Sequence, residues 1–287
     1  MAFGKRILTW FEGNWHEGNL PILGAADHAT WLGTLVFDGA RAFDGAAPDL
    51  DLHCIRLIRS AAAMGYTPNL SAEEVQAIAE EGIAKYPNDA ELYIRPMMWS
   101  LEGGPGMIAP DPGSCAFALC IEDLPLPPPT GIKLCLSSFR RPRPDMALTE
   151  AKAACLYPNN GRMVAEARAK GFDNAISLDV DGFVAETAST NVFLVRDGVV
   201  ETPVPNGTFL NGITRQRVMS LLLEDGFEVR EEKLLPEDLL AADEVFLTGN
   251  AAKVMPVVQY EERVFQPGPV AMRARTLYWD YARKSAA

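Results

Sequence analysis

The run from Ala175 to Thr202, AISLDVDGFVAETASTNVFLVRDGVVET, constrains the fold more than any other part of the chain. Two Asp-Gly pairs, Asp181-Gly182 and Asp197-Gly198, punctuate stretches rich in β-branched and apolar residues. Asp-Gly supplies the left-handed backbone of a tight hairpin, so the run predicts a β-meander with a polar loop near Ser189. Glu186 follows the apolar Phe183 and Val184 in its middle. Two readings of it stand: a solvated turn acid, or a partly buried carboxylate that then requires a cationic partner.

Upstream, Lys152 sits among Ala151, Ala153, Ala154 and Cys155, with Tyr157 five positions on. Small neighbours leave room beside the lysine and little water around it. Desolvation disfavours the ammonium and yields the free amine that Schiff-base chemistry with a carbonyl requires. The competing reading is an ordinary strand-end lysine whose amine reaches solvent.

The 287 residues, 48% of them apolar, suffice for two cores, and the proline run LPLPPPTG is a stiff spacer between them. It divides the chain into a smaller domain 1–123, a linker 124–131 and a larger domain 132–287. A net charge of −12 argues against nucleic acid, whose phosphates need a basic face. The absence of a long apolar run argues against a membrane, and the start lacks the apolar region and cleavage site of a signal peptide, so a cytoplasmic protein is expected. Five scattered cysteines without a C-x-x-C pattern read as buried, reduced thiols, and three histidines offer little to a metal, so none is expected.

Taken in order, residues 7–18 read as a hairpin and 31–45 as a second strand pair. DLHCIRLIRSAAAM, 51–64, is an amphipathic helix, with His53 as a packing or helix-anchoring residue. Ser71 and Glu74 form a capping box for a helix to about Tyr86. On the strand ELYIRPMMWS, alternation puts Tyr93 and Arg95 on one face, where they make either a carboxylate binder or an ion pair with Glu91. Gly and Pro between 103 and 113 make an irregular loop, a candidate for gating a pocket. Arg140, Arg141 and Arg143 read as surface cations. A helix covers 159–171, and another begins near Thr214 behind Gly212, where exposed amides form an anion site. An edge strand, a short helix, a buried strand with a Gly-Asn turn and a closing amphipathic helix complete the chain.

Lys152 with Tyr157, E-x-x-x-x-N-x-F from Glu186, L-x-G-I-T-R from Leu210 and D-E-V-F-x-x-G-x-A-x-x-x-x-P-V from Asp243 follow in that order. Ahead of them stand F-D-G-x-R at Phe37–Arg41, H-x-x-R-L at His53–Leu57 and Y-I-R-P at Tyr93–Pro96. Together they resemble the fold-type IV pyridoxal-phosphate enzymes, most closely the branched-chain aminotransferases, over nearly the whole chain. The resemblance implies an α+β fold of two domains, a smaller N-terminal α/β domain and a larger C-terminal one with a β-barrel-like core. It also implies pyridoxal 5'-phosphate as cofactor and a homodimer or higher homo-oligomer.

By the same resemblance, Lys152 carries the cofactor as a Schiff base and moves the proton, Glu186 faces the pyridine nitrogen, and Tyr157 faces the ring hydroxyl. Leu210 lies against the ring, while Arg56, Gly212, Ile213, Thr214, Gly249 and Asn250 hold the phosphate. Phe37, Arg41, Tyr93, Arg95 and Ala251 face the substrate. The residue after Gly249 is usually threonine in the family; here it is Asn250, which preserves the amide and puts the side-chain hydrogen bond in question.

The leading function is transfer of an amino group from a branched-chain or similar apolar L-amino acid to 2-oxoglutarate by a ping-pong mechanism. Leu32, Asp38, Trp99 and Asn250 depart from the branched-chain pattern and support a D-amino acid or (R)-amine transaminase as an alternative. Aminodeoxychorismate lyase, which eliminates pyruvate, is a third reading on the same cofactor residues.

Overall fold

A computed structural model describes residues 4–284, which divide into two compact units. The first takes the described residues up to Leu126, the segment Glu150–Cys155 and residues 282–284. Its sheet holds β1 (Ile7–Phe11), β2 (Asn14–Glu17), β3 (Leu35–Phe37), β4 (Ala40–Ala42), β5 (Leu92–Ser100) and β6 (Cys115–Asp123). The order is β2-β1-β6-β5-β3, with β4 also on β5. The expected pair at 31–45 is corrected here: a short helix α1 (His28–Leu32) precedes β3, and β3 and β4 each pair with β5 instead of with one another. The two strands are too short to make a hairpin of their own, and the long β5 offers them a shared template.

Helices α2 (Leu50–Met64) and α3 (Ala72–Ile83) pack together on this sheet. The capping box opens α3, with the Glu74 amide donating to Ser71 Oγ at 3.2 Å and the Ser71 amide to Glu74 Oε2 at 2.7 Å. Near its end, a Cβ on Gly82 would come within 2.2 Å of the Trp15 ring and 2.6 Å of Ile121. Helix and sheet therefore approach closely at a residue without a side chain.

The second unit takes Pro127–Thr149 and Leu156–Tyr281, so the chain changes unit inside the proline run. Its strands are β7 (Ile132–Arg140), β8 (Asn174–Leu178), β9 (Val184–Thr187), β10 (Asn191–Arg196), β11 (Val199–Pro203), β12 (Val229–Glu232), β13 (Glu244–Gly249), β14 (Lys253–Tyr260) and β15 (Arg263–Val264). They form one mixed sheet of order β12-β11-β10-β13-β14-β7-β8-β9, with β15 on β14. Helix α4 (Tyr157–Ala169) packs on β7 and β8, and α5 (Ile213–Glu224) on β13 and β12; α6 (Pro236–Ala241) and α7 (Pro269–Lys284) as far as Tyr281 complete the unit. Among the described residues no helix is long and apolar enough to cross a membrane.

The expected meander is split. Hairpins β8-β9 and β10-β11 both form, yet β9 ends one side of the sheet while β10 lies in its interior. Five strand spacings separate them along the sheet, ~24 Å if it were flat. Thr187 to Asn191 spans at most ~14 Å of chain. The sheet must curl to meet this connection, and a half-barrel results. The turn is closed by the Thr187 amide donating to the Thr190 carbonyl at 2.9 Å, with Thr187 Oγ1 accepting from the Ser189 and Thr190 amides. Between the curled sheet and α6 lies a core that includes Leu134, Ile176, Val192, Leu194, Leu239 and Leu247.

Candidate active site

In the first unit, residues 150–155 run against β3. The Phe37 amide donates to the Lys152 carbonyl at 3.1 Å, and the Lys152 amide donates to Ser60 Oγ at 3.0 Å. Both bonds fix the backbone of the half-buried lysine, between buried Ala151 and Ala153. Its Nζ lies 5.1 Å from the centroid of the Phe37 ring. Phe37 and Lys152, far apart in the chain, thus lie side by side in the fold.

Farther along β5 at the same edge, register aligns Arg41 on β4, Tyr93 on β5 and Glu122 on β6. The Arg41 and Arg95 guanidiniums lie 5.4 and 4.9 Å from the Tyr93 ring centroid. Arg95 pairs with Glu122 at 2.8 Å, which corrects the expectation of a pair with Glu91; the Glu91 carboxylate instead accepts from the Leu126 amide. Arg41 is buried and donates to the Leu124 carbonyl, and burial holds its pKa below the usual arginine value despite the nearby Tyr93 and Glu91. For Arg95, burial acts in the same direction, but Tyr93 and Glu122 outweigh it and its pKa is raised.

Asp38 is fully buried and binds two cations. Arg56 donates to it from Nε at 2.7 Å and from Nη2 at 2.8 Å, and His53 Nδ1 lies 2.7 Å from Oδ1. Burial pushes the carboxyl upward, and Arg56 with His53 overcomes it, so Asp38 stays well below the usual carboxylate range. Through His53 and Arg56, α2 is tied to Asp38, so of the two roles expected for His53 the contact fits helix anchoring.

In the second unit, Glu186 is buried and Arg141 Nη2 lies 3.1 Å from its Oε1. Arg141 is itself buried, against the surface position expected for it, and it also donates to Asn160 Oδ1 at 2.7 Å and to the Thr208 carbonyl at 3.2 Å. Its position just beyond β7, where its own amide donates to Leu178, turns it inward. The need of a buried carboxylate for a cation is the signal that could have singled out one of the three clustered arginines.

Glu186 and Asn191 lie at either end of the Thr187–Thr190 turn, and both hold the loop that leads to α5. Arg141 links Glu186 to Thr208, and Asn191 Nδ2 donates to the Leu210 carbonyl at 3.0 Å. Gly212 caps α5 with no side-chain hydrogen bond, so the first amides of the helix have neither an intrahelical acceptor nor a capping side chain. A Cβ on Gly212 would reach 2.1 Å from Asn191 Oδ1, so only glycine fits there. Thr248, beside Asn191 in the sheet register, leads to Gly249 and the turn at 250–252. There Asn250 accepts through Oδ1 from Lys253 Nζ at 2.9 Å, while its Nδ2 is buried without a partner. Tyr157 opens α4, Leu210 is half-buried, and Ala251 is exposed. The unit thus presents a buried carboxylate and an uncapped helix start to the two ends of one short loop, with Leu210 between.

The cysteines divide. Cys54, Cys120 and Cys135 are buried thiols, and burial pushes Cys54 up to about 12, but Cys155 is exposed. It follows the lysine segment, where the chain leaves the first unit.

This fold is that of the class IV aminotransferases. The family model for amino-transferase class IV matches residues 35–260, and the chain belongs to that family. It is an enzyme that moves an amino group between an amino acid and a 2-oxo acid, built on the fold-type IV, branched-chain-aminotransferase-like scaffold. Its particular relatives include a putative branched-chain-amino-acid aminotransferase of Methanocaldococcus jannaschii, 35% identical over 90% of each chain. A branched-chain-amino-acid aminotransferase of Salmonella typhimurium is 34% identical over 90% of this chain and 86% of its own. Among solved structures, an aminotransferase from Brucella abortus bound to PLP is 54% identical, with a TM-score of 0.96 over 97% of this chain and 99% of that one. The Escherichia coli branched-chain amino acid aminotransferase gives 32% identity and a TM-score of 0.89 over 98% and 96%.

Proposed function

We propose that this aminotransferase uses pyridoxal 5'-phosphate to transfer the amino group of a branched-chain or similar apolar L-amino acid to 2-oxoglutarate, in two half-reactions of opposite direction. One observation carries the cofactor assignment. The Thr187–Thr190 turn and the loop to α5 bring a buried carboxylate and an uncapped helix start to two ends of one short segment. That arrangement suits a flat molecule with a basic nitrogen at one end and a dianion at the other. The unpartnered Asn250 donor adds to the anionic end. The residues present therefore fit the group.

When bound, pyridoxal phosphate supplies an electron sink for the carbanion formed at the substrate Cα. Lys152 binds it through Nζ and moves the proton to and from Cα as base and acid. Glu186, paired with Arg141, keeps the pyridine nitrogen protonated. Tyr157 donates to the ring hydroxyl oxygen, and Leu210 packs on the ring face. Arg56, the amides of Gly212, Ile213 and Thr214, and the Gly249-Asn250 turn hold the phosphate. Arg41, Tyr93 and Arg95 orient the substrate carboxylate, Phe37 lies by its side chain, and Ala251 donates its amide.

Burial of Trp99 in the core, stacked 6.1 Å from Phe11, removes one support of the D-amino acid reading, and the Asp38 ion pairs account for a second departure without reference to substrate. The test is stopped-flow absorbance of the loaded enzyme mixed separately with L-leucine, L-glutamate, D-alanine and (R)-1-phenylethylamine. Conversion to the amino form of the cofactor by L-leucine and L-glutamate is expected. Reaction with D-alanine or the amine alone overturns the substrate assignment, and pyruvate release without an amino acceptor turns it to a lyase. Lys152→Ala is expected to abolish conversion with every donor.

A further inference from the structure

Lys253 begins β14, directly after the turn that carries Asn250, and it is fully buried. Its backbone has a φ of 59°, in the left-handed region that a lysine adopts only where its surroundings hold it. Its Nζ donates to Asn250 Oδ1 at 2.9 Å and lies 5.4 Å from the centroid of the Tyr278 ring. Nζ acts here as the donor, so it is the oxygen of the amide that faces it. Turning the amide over would set two donors against each other. Lys253 therefore decides which way Asn250 points.

The atom left on the other side is Nδ2, buried and without a hydrogen-bond partner. A buried donor with no acceptor is unfavourable, and native proteins tolerate it where a ligand supplies the acceptor. Neighbouring residues tell which ligand. Gly249, next in the chain, sits so close to Thr190 that a Cβ would come within 2.7 Å of Thr190 Cγ2. Asn191, the residue after Thr190, contacts Leu210 and abuts Gly212 at the start of α5. The oriented amide thus belongs to the same corner as the uncapped helix start, whose amides also seek an anion.

We propose that Lys253 is a positioning residue for phosphate binding: it locks Asn250 so that Nδ2 donates to a phosphate oxygen. The proposal rests on the pyridoxal phosphate reading above. A hydroxyl at position 250 can rotate to its acceptor unaided; an amide needs its two ends assigned. The lysine performs that assignment.

Apo-protein titrated with pyridoxal phosphate and, separately, with pyridoxal, its phosphate-free form, tests this through the absorbance of the bound chromophore. Asn250→Asp keeps an oxygen for Lys253 and removes the donor, so affinity for pyridoxal phosphate is expected to fall about tenfold or more. Affinity for pyridoxal is expected to stay within about twofold, since surrounding contacts are unchanged. Lys253→Met is expected to cause the same selective loss beside Asn250, but less than about a twofold loss in the Asn250→Thr background, where no amide needs orienting. Lys253→Gln serves the same comparison if Lys253→Met does not fold by circular dichroism. Wild-type affinity in Asn250→Asp, an equal loss for both ligands, or an equal effect of the lysine change in both backgrounds overturns the proposal. Failure of the wild-type protein to bind pyridoxal phosphate overturns the cofactor reading instead.

Discussion

Arg141 and Glu186 show how much one buried charge depends on another. Both are nearly inaccessible, and the Coulomb attraction between them offsets a desolvation cost that either would bear alone. Replacing Arg141 by methionine leaves Glu186 buried without this cation, and we expect a loss of about 3 kcal/mol in denaturant-induced unfolding. Arg141→Lys, with fewer donors for Asn160 and Thr208, is expected to recover part of it. Asp38 carries a pH signature. Its folded pKa is depressed, so the stability it contributes is fully present above its unfolded pKa of about 3.9 and is lost as pH falls through the lower folded value. The stability gap between wild type and Asp38→Asn is therefore expected to be constant from neutral pH to about pH 5 and to shrink below about pH 4. A gap that widens on acidification would contradict the ion-pair assignment.

At the scale of an element, glycine inside α3 looks at first like a defect, since alanine in a helix interior is favoured by about 1 kcal/mol. Contact with Trp15 and Ile121 reverses the sign. Gly82→Ala must push a ring and a core side chain aside, and overpacking of this kind costs about 1–3 kcal/mol. A net loss in thermal stability is expected; a gain would show that α3 can move off the sheet. Ser71→Ala removes only the cap and is expected to cost about 1 kcal/mol. In α5 the corresponding position is different in kind. Gly212→Ala collides with Asn191, which is tied to Leu210, so phosphate binding and stability are expected to fall together.

For the whole molecule, two irregular segments compete as the weak point toward a protease. The proline run is held at its start by the Leu124 amide on the Glu91 carbonyl and the Leu126 amide on the Glu91 carboxylate, and its prolines resist cleavage. The loop at 101–114 instead exposes Met107 and Ile108 and returns through the bridge of Gly103 to Pro110. Limited proteolysis is expected to cut first near Met107 and Ile108, as mass spectrometry of early fragments would show. First cleavage at 124–131 would reverse that order. The curl of the second sheet belongs to this scale as well, because it follows from a connection too short for a flat one.

Local chemistry made much of this protein legible from the chain alone. Turn pairs such as Asp197-Gly198, the box at Ser71 and Glu74, and the Gly212 helix start depend on neighbours a few residues away, so they appear where the sequence puts them. The family motifs likewise mark Lys152, Glu186 and Asn250 as residues of interest. Tertiary structure alone decided who their partners are. Residues 150–155 join the first unit by pairing with β3, Arg141 turns inward to Glu186, and Arg95 takes Glu122 across a strand instead of Glu91 along its own. Each of these is a contact between residues distant in sequence, set by sheet register and by which charge the fold buries. No periodicity within a single segment carries that information, because the cost of burying a charge is settled only when the partner arrives.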